Sequence, residues 1–71
     1  CARVLDLSQH GCRLEFMELP VLDERVWVRV AGLEPIEASV CWTLGHVAGL
    51  EFGKTIHPAV LDMVLARLRG D

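Results

Sequence analysis

Apolar and polar side chains alternate with a period of two along most of the chain, and that period changes once, after Gly53. A period of two puts every second side chain on one face, as a half-buried strand requires, whereas a 3.6-residue period marks a helix. Ala2 to Leu7 is a short apolar run, and Cys12, Leu14 and Phe16 alternate with Arg13 and Glu15. Strands over 2–7 and 12–16 therefore flank a turn at Ser8 to Gly11 and form a hairpin. A third strand, 26–30, turns Val26, Val28 and Val30 one way and Arg25, Trp27 and Arg29 the other. In a fourth, 36–43, Ile36, Ala38, Val40 and Trp42 alternate with Glu37, Ser39, Cys41 and Thr43. Gly45-His46 reads as a turn into a fifth strand, 47–52, whose Ala48, Leu50 and Phe52 share a face. Glu18 to Glu24, with Pro20, reads as the irregular loop.

Beyond Gly53, Pro58 suits the first turn of a helix, where its missing N–H costs nothing. Val60, Leu61, Val64, Leu65 and Leu68 recur at helical spacing, Arg67 and Arg69 fall at the negative end of the dipole, and Gly70 can stop the helix. The spacing predicts one amphipathic helix over 58–69, too short to persist unless it packs on the sheet. The expected fold is mainly β: an antiparallel meander of five strands, closed by one C-terminal helix and curled into a small barrel because closure hides strand edges.

At 71 residues the chain is a single domain with a modest core. It opens with Cys1 inside a strand-like run, so 1–71 is read as one N-terminally truncated domain of a longer polypeptide whose upstream part supplies a sixth strand. Mean hydropathy is +0.36, yet no apolar run approaches the roughly 18 to 20 residues that span a bilayer. The net charge of −3, with seven dispersed basic residues, argues against nucleic-acid binding, which draws its affinity from clustered cations. Cys1, Cys12 and Cys41 lack zinc-ligand spacing and suit reduced thiols in a cytoplasm; Cys12 and Cys41 are read as small apolar fillers.

Asp6, Ser8 and His10 contain the letters of a catalytic triad, but an extended chain supplies neither the strained nucleophile turn nor oxyanion donors, so no enzyme is expected. His10, His46 and His57 are widely spaced and read as solvated turn residues, with no metal site. Asp6, Ser8 and Gly11 admit two readings. A carboxylate and a hydroxyl beside a glycine can bind a small planar polar ligand; equally, Asp and Ser can bond nearby backbone while Gly takes a left-handed turn position.

"DLSQHG", Asp6 to Gly11, fits the D/N-x-S-x-x-G motif of the PilZ domain, a bacterial receptor for cyclic di-GMP. "ASVCWTLGHVAGLEF", Ala38 to Phe52, is similar to that family's strand ending in Trp, turn, and strand ending in Gly-x-x-Phe. The resemblance runs from Ala2 to about Leu68 and implies a six-stranded β-barrel followed by a helix. It also implies that Asp6, Ser8 and Gly11 contact a guanine edge. The family's second signature, R-x-x-x-R, lies upstream of its D-x-S-x-x-G and has no counterpart before Asp6; "RVWVR", Arg25 to Arg29, has the spacing but lies downstream and is read as a decoy. Trp42 either stacks on a base or fills the core with Ile36, Ala38 and Val40, and Trp27 lies under the helix or marks a protein contact.

The resemblance thus implies a non-catalytic bacterial signalling module that binds cyclic di-GMP through Asp6, Ser8, Gly11 and Trp42, completed by arginines upstream of Cys1, with no other cofactor. The alternative is a degenerate domain of the same shape that binds a protein and no nucleotide.

Overall fold

The computed structural model describes residues 2–30 and 32–70. Five strands and one helix follow the order β1 (Ala2–Leu7), β2 (Gly11–Phe16), β3 (Arg25–Val28), β4 (Ile36–Leu44), β5 (Val47–Phe52) and α1 (Pro58–Leu68). Each lies where the periodicity predicts, with ends displaced by a residue or two. Among the described residues, no helix is long and apolar enough to cross a membrane.

The strands form one antiparallel sheet in the order β1-β2-β5-β4-β3, which is not the expected meander. The departure lies in one connection. Residues 17–24 are too long for a tight hairpin and instead carry the chain away from β2, past a positive-φ residue at Asp23 (φ 66), to the far edge of the sheet. There Asp23 N–H donates to Val40 O at 2.9 Å and Val40 N–H donates to Glu24 O at 3.0 Å, which starts β3 against β4. The side of β2 thus vacated is taken by β5, from Gly11↔Glu51 to Glu15↔Val47. The β4–β5 hairpin turns at Gly45, whose φ of 59 gives the glycine-first pattern of a II′ turn.

The inner face carries the core. Leu7, Cys12, Leu14, Val28, Val40, Leu50 and Phe52 are buried there with Ala38 and Ala48. The sheet is curled rather than closed: edge strands β1 and β3 face each other across an apolar cleft of about 390 Å³ that includes Val4, Phe16, Val26 and Val28.

The helix caps this core through Val64, which has no exposed surface, while Val60, Leu61 and Leu65 are partly buried around it. Leu68, expected in the same stripe, is 50% exposed because it lies in the final turn, past the sheet. The helix ends in Arg69 as C-cap, and Gly70 at φ 83 donates its N–H to Arg67 O at 3.1 Å. Its start is built differently from the expectation for His57. That ring is not merely solvated: Nδ1 accepts from Ala59 N–H at 3.1 Å and caps the helix beside Pro58.

Candidate functional site

Two β-bulges decide what the outer face of the sheet presents. In β1 the pairing runs Val4↔Leu14 and then Asp6↔Arg13, so Leu5 is the extra residue. In β4 it runs Val40↔Leu50 and then Trp42↔Gly49, so Cys41 is extra. An extra residue reverses the facing of everything beyond it, because side chains alternate strictly along a strand. Asp6 therefore pairs on the side opposite Leu7 and Cys12, and Trp42 on the side opposite Val40. The core-filler reading of Trp42 is thereby corrected: the indole is 44% exposed on the outer face. Cys41 is likewise no filler; as the bulge residue it is exposed, with Sγ 3.5 Å from Ser39 O and 3.8 Å from Glu51 Oε2.

With both bulges in place, Asp6, Arg13, Gly49 and Trp42 are consecutive partners across β1, β2, β5 and β4. Trp42 lies over Gly49 so closely that a Cβ there would fall 2.8 Å or less from three atoms of the indole. The glycine makes room for the ring above the strand.

The turn beside this row is tied by Ser8. Its N–H donates to Gly11 O at 2.9 Å, its hydroxyl donates to the same oxygen at 3.2 Å, and the hydroxyl oxygen accepts from the His10 and Gly11 N–H groups, each at 3.3 Å. Ser8 Oγ is thus held by turn backbone and not by the His10 ring. Asp6 Oδ1 accepts from Leu7 N–H at 3.0 Å and leaves its carboxylate at the exposed surface. Gly11 is needed for a reason other than the expected left-handed conformation. Its φ is not positive; instead a Cβ would collide with Leu50 O where β2 meets β5. The turn is further fastened to the approach to the helix, as Ile56 N–H donates to Gln9 O at 2.9 Å and Gln9 Nε2 donates to Ile56 O at 3.3 Å.

These elements border one open depression of about 810 Å³, whose lining includes Asp6, Ser8, Gly11, Arg13, Trp42 and Glu51. All four residues singled out from the sequence therefore meet there; Arg13 and Glu51 were not singled out, and Gly49 entered only as the glycine of the Gly-x-x-Phe pattern. Arg13 was legible only as the polar member of an alternating strand, since its cross-strand neighbours depend on the bulges. Arg25 and Arg29 do not line the depression. Trp27, 66% exposed on β3, is not under the helix. Cys12 lies below the site in the core, where burial pushes its thiol up to about 11. Among the described residues, no group of three or more His, Cys, Asp or Glu side chains is placed to hold a metal ion.

The family model for the PilZ domain matches residues 2–69. No curated protein and no solved structure matches the chain.

Proposed function

The chain belongs to the PilZ domain family, and from that premise we propose that it is a non-catalytic bacterial signalling module that binds cyclic di-GMP at the Asp6–Trp42 depression. The observation that carries this reading is the pair of bulges, which turn a carboxylate and an indole onto one open face beside the D-x-S-x-x-G turn. A guanine has N–H donors that the Asp6 carboxylate can accept, and a flat ring that the exposed indole can stack against. Gly11 keeps the wall of the depression free of a side chain, and the Ser8 hydroxyl holds the turn at its rim in shape.

The ligand carries two phosphates, and arginine forks are the groups that recognise phosphate and the guanine Hoogsteen edge together. In this reading an R-x-x-x-R pair from the polypeptide preceding Cys1 supplies them. Binding orders that segment across the Asp6–Gly11 turn and thereby transmits the signal.

Calorimetry tests it. The 71-residue chain alone is expected to bind no tighter than roughly 10 μM, about −7 kcal/mol. A longer natural chain that carries the arginine pair should bind, and Asp6→Ala should weaken it by roughly 1 to 3 kcal/mol, the cost of unpaired buried donors. Arg25→Ala should have little effect. If the longer chain carries the pair and still does not bind, the protein-binding alternative takes its place.

A further inference from the structure

Arg13 occupies the second position of the cross-strand row, between Asp6 on β1 and Gly49 on β5, with the Trp42 indole laid over that glycine. Its side chain is exposed and lines the same depression as Asp6 and Trp42. Arg3, two rungs away on β1, pairs with Glu15 at 2.8 Å, whereas Arg13 makes no ion pair within 4.0 Å among the described residues, although Asp6 is directly across and Glu51 is on the same wall. A guanidinium held without a partner between a carboxylate and an indole has all its donors available to a ligand.

Resting on the nucleotide-binding reading above, we propose that Arg13 is a ligand contact in this depression and donates to a phosphate oxygen of the bound cyclic dinucleotide. The three neighbouring groups then divide the ligand by chemistry. Asp6 takes the base N–H donors, Trp42 takes the base face, and Arg13 takes the negative charge between them. Adjacent strands are spaced by about 4.8 Å, so Arg13 is one spacing from Asp6, and the indole reaches back across the spacing that Gly49 leaves empty. Arg13 also offsets the repulsion that Asp6 and Glu51 would exert on an anion entering the depression.

The test is a titration of the full-length natural chain with cyclic di-GMP at several salt concentrations, comparing wild type, Asp6→Ala, Arg13→Gln and Arg13→Lys. Arg13→Gln is expected to weaken binding about 10- to 100-fold, the range for losing a charged hydrogen bond. It should also make the salt dependence shallower, because one fewer charge meets the ligand. Arg13→Lys should recover the salt dependence and part of the affinity. A side chain that only supports the fold would leave the salt dependence unchanged, and a circular-dichroism melt of each variant separates loss of fold from loss of contact. If Asp6→Ala weakens binding while Arg13→Gln stays within twofold of wild type, or if Arg13→Gln weakens it with an unchanged salt dependence, the Arg13 contact is overturned and the nucleotide site stands. If the wild-type chain does not bind at all, both fall.

Discussion

Adding one methyl group at Gly11 and one at Gly49 should have unequal consequences, although both glycines lie on paired central strands. At Gly11 the new Cβ would stand 2.0 Å from Leu50 O and 3.1 Å from Leu50 C, atoms that belong to the neighbouring strand's backbone. Backbone cannot rotate out of the way, so β2 and β5 must separate by about 1 Å at this end, and hydrogen bonds stretched that far are lost. Those at risk are Phe52 N–H to His10 O, 2.8 Å, and Ile56 N–H to Gln9 O, 2.9 Å, together with the first rung of the ladder. At about 0.5 to 1.5 kcal/mol each, Gly11→Ala should cost about 2 to 4 kcal/mol. A domain of this size has a total stability of only about 4 to 10 kcal/mol, so the loss is a large fraction. At Gly49 the obstacle is the Trp42 ring, which is 44% exposed and can swing toward solvent. Gly49→Ala should therefore cost less than about 1 kcal/mol, gaining back some unfolded-state entropy, while displacing the indole. Urea unfolding followed by circular dichroism reads the stabilities. Fluorescence in a Trp27→Phe background reads the environment of Trp42 alone. Equal destabilisation by the two substitutions would show that the indole is locked in place. A neutral Gly11→Ala would show that β2 and β5 do not approach as closely as described.

The two described cysteines should differ in reactivity: at pH 8 an alkylating reagent should modify Cys41, exposed at its bulge, while buried Cys12 reacts only on unfolding, as mapped by mass spectrometry. The Cys12 thiol, raised from 9.0 to about 11 by burial, keeps its proton in the folded chain over a range in which the unfolded chain releases it. Its contribution to stability is therefore intact below pH 9.0 and declines as pH rises toward about 11, a decline that urea titrations should find absent from Cys12→Ala. His57→Ala removes the acceptor for Ala59 N–H and should cost about 0.5 to 2 kcal/mol, with His57→Asn recovering most of it in thermal melts.

The five strands and the helix were legible because each is specified by a local period: Val26 and Val28, or Ala48, Leu50 and Phe52, declare their shared face in their spacing. The D-x-S-x-x-G turn was legible for the same reason, since the hydrogen bonds of its Ser8 hydroxyl close within Ser8 to Gly11. Strand order was not, because it is set by where residues 17–24 carry the chain, and a loop's path depends on what it packs against rather than on its own pattern. Nor was the facing of Trp42 and Cys41. Strict alternation from Val40 puts Trp42 in the core; a single unpaired residue in β4, visible only as a mismatch with β5, reverses it. The same holds for Arg13, which reads as an ordinary outward residue until a second bulge in β1 brings Asp6 across from it. Local periodicity determined which residues form each element, while pairing between strands distant in sequence decided which side chains share the open face, because a bulge exists only relative to its partner strand.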